Sequence, residues 1–182
     1  MALWRIRARL DDRPGYLAVL TASLALKMVN ILTVQVHATG DGAVDEFLVE
    51  APDAMTAPEL IAAVVKGRGQ DPWVRPADAR GLVDPTTQAL GLAAQVAAEP
   101  DRLSEALSRL LGAARVTTSS AADGMPGHRG STMVLAGLGG EWLRIERDEP
   151  PFTPAEYTRA QALVRVGEAA VKAGSDSPCP AP

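Results

Sequence analysis

Trp4-Arg5-Ile6-Arg7-Ala8-Arg9-Leu10-Asp11-Asp12-Arg13-Pro14-Gly15-Tyr16-Leu17 changes its period halfway along. Trp4, Ile6, Ala8 and Leu10 alternate with Arg5, Arg7 and Arg9, the two-residue rhythm of a half-buried strand. Asp12-Arg13-Pro14-Gly15 breaks that rhythm, and Leu17, Leu20, Leu24 and Met28 then recur at helical spacing. The stretch therefore reads strand, turn, helix. Further along, Asn30 ends the helix, because asparagine tolerates the left-handed conformation that helix ends often use. A second strand is expected over Ile31–His37, with Leu32, Val34 and Val36 on one face. Thr39-Gly40-Asp41-Gly42 is a turn by composition, and Val44–Glu50 returns as a third strand. Thr56-Ala57-Pro58-Glu59 is a capping box with proline in the first turn, opening a helix through Leu60, Ile61, Val64 and Val65. Gly67–Gly69 stops it, and Trp73–Arg75 is a short last strand. Residues 1–78 thus read β-α-β-β-α-β.

Within that pattern three pieces stand in order: the Asp12-Arg13-Pro14-Gly15-Tyr16-Leu17 turn, Asn30-Ile31 at the start of the second strand, and Asp45-Glu46-Phe47-Leu48-Val49 in the third. In these residues the first half resembles the ACT domain family, small-molecule-binding regulatory modules attached to many enzymes of amino-acid metabolism. The resemblance implies a ferredoxin-like fold, a four-stranded antiparallel sheet with both helices on one face. It also implies pairing into a homodimer with an amino acid bound near the interface. The residues carried over as ligand-binding are Asp12, Arg13, Pro14, Gly15, Tyr16, Leu17, Asn30 and Ile31. Where some amino-acid-sensing members carry a polar residue, this chain has Leu10.

Elementary chemistry points to the same place. Pro14-Gly15 delivers the chain to a helix N-terminus, whose unsatisfied N–H groups and positive dipole end suit a carboxylate. Gly15 has no side chain to block an approach to the backbone, and Asp12 carries acceptors for an ammonium group. Plainer roles exist for each residue. Asp12 can cap the helix, Pro14-Gly15 can simply turn the chain, and Asn30 can simply terminate the helix.

The second half, residues 79–174, opens with Asp84-Pro85 as cap and first helical residue of a helix to about Ala98. Glu99-Pro100-Asp101 interrupts it, Leu103, Leu107, Leu110 and Leu111 mark another helix, and Arg115–Ser119 reads as a strand. Ser120–Gly130 reads as a loop. Thr132–Leu138 and Glu141–Arg147 read as a hairpin joined by the two residues Gly139-Gly140. Thr153-Pro154-Ala155-Glu156 repeats the capping box and opens a long helix towards Ala173. Met133-Val134-Leu135, Trp142-Leu143-Arg144-Ile145 and Pro151–Glu156 give this half a resemblance to a shortened GAF-like domain. The fold class expected for the whole chain is α+β, an ACT domain followed by a small GAF-like α+β domain, with residues 175–182 as a disordered tail.

Composition narrows the function. The net charge is -4 among 182 residues and the pI is about 5.2, so nucleic acid and anionic membrane are not the expected partners. One cysteine, Cys179, and two histidines, His37 and His128, offer neither a disulfide framework nor a multi-histidine metal centre. The longest nearly apolar stretch, Leu17–Leu26, is too short to span a bilayer. The N-terminus alternates instead of showing an apolar block, so no signal peptide is expected and the chain reads as soluble and cytoplasmic. Arg5, Arg7 and Arg9 share the strand face opposite the core with Glu46, Glu50, Thr33, Gln35 and His37, and cross-strand charge pairing accounts for that stripe. Asp123, His128 and Ser131 sit in one loop without a nucleophile elbow or an oxyanion feature, so catalysis is not expected there. The expectation is a non-enzymatic amino-acid-binding regulator without cofactor or metal, acting as a homodimer on some regulated protein partner. The alternative is a ligand-free dimerisation or protein-interaction module.

Overall fold

The computed structural model describes residues 1–39, 42–77, 85–112, 115–121 and 124–175. The chain divides into two compact units, Met1–Val83 and Asp84–Pro182. In the first, the elements are β1 (Ala2–Leu10), α1 (Tyr16–Ala25), β2 (Asn30–Thr39), β3 (Gly42–Ala51), α2 (Ala57–Lys66) and β4 (Gln70–Pro76). The sheet is antiparallel in the order β2-β3-β1-β4, which makes the unit ferredoxin-like.

Alternation decides which face is buried. Ile6, Ala8 and Leu10 of β1 pair with Phe47, Asp45 and Ala43 of β3, and this face packs under Leu20 and Leu24 of α1 and Leu60, Ala63 and Val64 of α2. The other face carries the arginines. Arg7 sits opposite Glu46 and pairs with it at 2.7 Å, and Arg5 reaches the same carboxylate at 3.5 Å. Arg9 pairs with Asp71 at 3.2 Å. The stripe is thus consumed by cross-strand pairing, as its composition suggests.

The two helices lie close to one another. Ser23 donates a buried hydrogen bond to the Ala63 carbonyl at 2.7 Å. A Cβ on Gly67 would stand 2.7 Å from the Leu20 Cα and 3.2 Å from the Ser23 Cβ. Gly67 has an ordinary φ of -79, so its need for glycine is steric. Gly67→Ala is expected to destabilise this unit by about 1–2 kcal/mol through overpacking, measured by denaturant unfolding. The Thr56 box forms as expected, Glu59 Oε2 accepting from the Thr56 N–H at 2.9 Å and from its hydroxyl at 2.8 Å.

Three details differ from the sequence reading. α1 ends at Ala25, and Met28, not Asn30, takes the left-handed conformation with φ 59. The Val29 N–H then bonds back to the Leu24 carbonyl at 3.2 Å, closing the helix end. Met28 therefore leaves the buried stripe for solvent, and Asn30 becomes the first residue of β2. In β2 the register shifts between Ile31 and Thr33. This bulge leaves Leu32 out of phase, so Ile31 packs on the core, with Val34 and Val36 on the same face.

The second unit holds α3 (Pro85–Ala98), a 3-10 turn at Pro100–Arg102, α4 (Leu103–Leu111), β5 (Arg115–Ser119), β6 (Gly127–Arg129), β7 (Thr132–Ala136), β8 (Trp142–Glu146) and α5 (Pro154–Ser175). Its antiparallel sheet runs β5-β8-β7-β6. Leu92, Val96, Leu103, Leu107, Leu163 and Val164 from the helices bury Met133, Leu135, Leu143 and Ile145 from the strands. β6 lies inside the stretch read as a loop. Three residues with glycine at one end carry no legible period, and pairing with β7 makes the strand. The β7–β8 link is a short 3-10 turn at Leu138–Gly140 in place of a two-residue hairpin, with Gly139 and Gly140 at φ 63 and 85. α5 continues through Ser175, beyond the expected start of a tail. The Gly40-Asp41 turn, Asp84, Asp123 and Cys179 lie outside the described residues. Among the described residues no helix is long and apolar enough to cross a membrane.

Candidate functional site

The turn between β1 and α1 is exposed from Asp11 to Gly15. It is held from inside, the Arg13 N–H bonding to the Asp11 carbonyl at 2.8 Å and the Tyr16 N–H to the Arg13 carbonyl at 3.2 Å. Gly15 is the N-cap of α1 at φ 89, in the left-handed region that glycine occupies without strain, and an added Cβ would meet nothing within 4 Å. A glycine cap brings no side-chain acceptor, and no acidic residue stands in the first turn. Asp12 makes no side-chain cap either, so the capping role open to it in the sequence is not the one it takes. The N–H groups of Leu17 and Ala18 are thus left without a side-chain cap and with no acidic residue in the first turn, which is the chemistry an incoming carboxylate needs.

Two neighbours of this turn come from far along the chain. The Arg68 guanidinium stands over the Tyr16 ring, 5.5 Å from its centroid, bringing a cation beside the helix start. Gln70 donates to the Asp11 carboxylate at 3.4 Å and accepts from Arg9 at 3.1 Å, tying the turn to β4. Leu10 is in the core at 2% exposed.

Below the turn lies a buried acid. Ala43 pairs with Leu10, the last residue of β1, and Asp45 sits one pleat further in, between Ala8 and Val36, on the face that the helices cover. Asp45 is 2% exposed, and its Oδ1 has no hydrogen-bond partner. Burial, and then the charge of Asp12, push its pKa up to about 6. The sequence carries a signal for it. Ala43, Phe47, Val49 and Ala51 set the inward phase of β3, and Asp45 is the one charged residue in that phase. Arg68 has no such signal, because only the packing of α2 beside α1 brings it there.

Asn30 and Ile31 are not part of this cluster. They stand at the other end of α1, whose ten residues separate the two ends by about 15 Å at 1.5 Å per residue. Asn30 is exposed and its amide lies 3.5 Å from Glu50 Oε2, while Ile31 packs on the core. Within one copy of the chain, Asp12–Leu17 form one group and Asn30–Ile31 another.

In the second unit, His128 stands 5.6 Å from the Tyr157 ring and the Ser131 hydroxyl donates to the Asp148 carbonyl at 3.1 Å. Ser131 is thus engaged with backbone. A shallow groove beside α5 is lined by Pro126, Leu135, Tyr157, Gln161, Arg165 and Glu168 among others.

No family model matches the chain, and no curated protein matches it. Among solved structures it is similar to a formyltetrahydrofolate deformylase of Pseudomonas putida KT2440, at 11% identity and TM-score 0.34, over 42% of this chain and 28% of that one. An unknown protein of Galdieria sulphuraria is 17% identical with TM-score 0.40, over 92% of both chains. The regulatory subunit of aspartate kinase from Thermus thermophilus is 13% identical with TM-score 0.37, over 93% of this chain and 92% of that one. With TM-scores below 0.5, none of the three establishes kinship, and the ferredoxin-like arrangement of the first unit stands on its own strand order.

Proposed function

We propose that the chain is a non-enzymatic regulator that binds an amino acid as a homodimer, through its ACT-like first unit. The observation that carries this reading is the split site. Asp12–Leu17 and Asn30 lie at opposite ends of α1 in one copy, and β2 is an edge strand whose helix-side valines, Val34 and Val36, are 44% and 55% exposed. If two β2 edges pair antiparallel about a two-fold axis, the start of one strand meets the end of the other. Asn30 of each copy then approaches the turn end of its partner, and the two groups become one site. The ligand carboxylate meets the α1 N-terminus, and closing the interface around it shifts a population between conformations.

Val34 is near the middle of β2, so in that pairing it faces its own symmetry mate. Val34→Lys sets two like charges opposite each other. Sedimentation is expected to show a dimer for the wild type at micromolar concentration and a monomer for the variant, with amino-acid binding lost alongside. A wild-type monomer at all accessible concentrations overturns the composite site.

The exposed apolar side chains Val19, Leu26, Met28, Val34 and Val36 favour a second reading, a ligand-free module that docks a regulated protein. It predicts no thermal shift with any amino acid. In either reading the second unit, whose sequence resembles a shortened GAF-like domain, would dimerise or dock a partner.

A further inference from the structure

An ionised carboxylate inside an apolar core is costly unless a partner meets it. Asp45 has none at Oδ1, and its fold position does not require an acid, since its neighbours across the sheet are Ala8 and Val36. The arginines of β1 do not serve it. Arg5, Arg7 and Arg9 lie on the opposite face of the sheet, where Glu46 and Asp71 take them. Lys66 is exposed at the end of α2, and Arg68 stands over Tyr16.

Asp45 itself is covered, but the sheet beside it is not. Val36, directly across from it, is more than half exposed although it belongs to the helix-covered face. The sheet between α1 and β2 is therefore open next to the acid. The uncapped N–H groups of Leu17 and Ala18 begin the helix above, and Asp12 is close enough for its charge to act on Asp45. Donors for an anion and an unpaired acceptor for a cation thus stand at the same end of one short helix.

We propose that Asp45 is the ammonium-binding group of this site: the α-ammonium of a bound amino acid enters between α1 and β2 and meets the Asp45 carboxylate, with Asp12 at the mouth. The proposal rests on the amino-acid reading above and makes it narrower. The ligand must carry a free ammonium beside its carboxylate, so the matching 2-hydroxy acid is refused. Such discrimination is steep where the site's own buried polar group is left unpaired by the wrong ligand.

The test is calorimetry on the full chain at pH 7.5 against the twenty amino acids, followed by Asp45→Asn with each binder. The variant is expected to bind at least ten-fold more weakly, and the wild type to bind the 2-hydroxy acid as weakly as the variant binds the amino acid. A single cooperative melting transition for the variant at pH 7.5, at or above the wild-type Tm, shows that the variant is folded. If Asp45→Asn binds an amino acid as the wild type does, Asp45 is not the ammonium group and the amino-acid reading survives without it. If the wild type binds none of the twenty, that reading falls, and n-butylammonium decides Asp45 alone. A carboxyl carbon resonance of Asp45 that titrates at least half a pH unit lower in 50 mM n-butylammonium chloride than in sodium chloride upholds a cation site. An unchanged midpoint overturns it.

Discussion

Arg147→Ala is expected to destabilise the second unit by about 3–5 kcal/mol, the usual cost of removing one partner from a buried ion pair. The Arg147 and Glu156 side chains are only 6% and 10% exposed and pair at 2.9 Å. All five guanidinium N–H groups have acceptors. Nε donates to the Pro150 carbonyl at 2.6 Å, Nη1 to Leu111 at 2.7 Å and to Glu156 Oε1 at 2.9 Å, and Nη2 to Pro151 at 3.1 Å and to Glu156 Oε2 at 3.0 Å. The guanidinium carbon also lies 4.1 Å from the centre of the Phe152 ring. Glu156 Oε2 meanwhile accepts from the Thr153 N–H and hydroxyl, as the box at the start of α5. The alanine leaves that carboxylate buried without its cation and strands three carbonyls. For a unit of this size the loss corresponds to a fall in Tm of roughly 15 °C or more. Trp142 on β8 supplies a local fluorescence reporter for the transition. Arg147→Lys is expected to recover little, since an ammonium has three donors and no planar fork for the bidentate pair. Joint replacement by Met and Gln is expected to restore part of the loss, because it removes both charges together. A change below 1 kcal/mol in Arg147→Ala contradicts the network.

Asp45→Asn is expected to stabilise the first unit at neutral pH and leave it unchanged in acid. An Asp held at about 6 in the folded chain and near 3.8 when unfolded keeps its proton longer in the native state. Well below pH 4 both states are protonated and Asp45 costs nothing. Between pH 4 and 6 the unfolded chain releases the proton first, so stability falls as pH rises; above pH 6 the penalty is fully present and constant. Its size is about 2–3 kcal/mol by the same linkage, or roughly 1–2 M in the urea midpoint. The difference between variant and wild type should therefore grow from pH 4 to pH 6 and then level off. His37 lies on the opposite face of the sheet, across from Val44, and is common to both proteins. A difference independent of pH overturns the buried, uncompensated state of Asp45. An ammonium ligand should erase the gap by stabilising only the wild type.

The elements that the sequence showed well are those whose own residues carry the period. β1 alternates without interruption, and Thr56 and Thr153 each stand three residues before a glutamate, so both helix starts were legible. Interruptions that depend on partners were not. Met28 continues the helical spacing of Leu20 and Leu24, and only the backbone closing onto Leu24 turns it away. Leu32 is as apolar as Ile31, so nothing in β2 alone announces the bulge that exchanges them. Gly127-His128-Arg129 becomes a strand through β7. The candidate site divides along the same line. Gly15 is visible because the turn needs it, and Asp45 because it breaks an apolar phase. Arg68 and Gln70 arrive through α2 and β4, and the distance between Asn30 and the turn follows from the length of α1.

Arg147 has a consequence for the order in which the chain becomes structured as it is made. Its acceptors lie at the end of α4, in the Pro150–Pro151 segment and in the first turn of α5, and Leu163 and Val164 of α5 complete the apolar interior of that unit. During synthesis the first unit has its last strand by Pro76 and can close while the ribosome is still working. The second unit must wait, with a bare guanidinium and an open sheet, until its final helix has emerged. A stalled or clipped chain ending before residue 153 would therefore display one finished fold and one that is a substrate for chaperones and proteases.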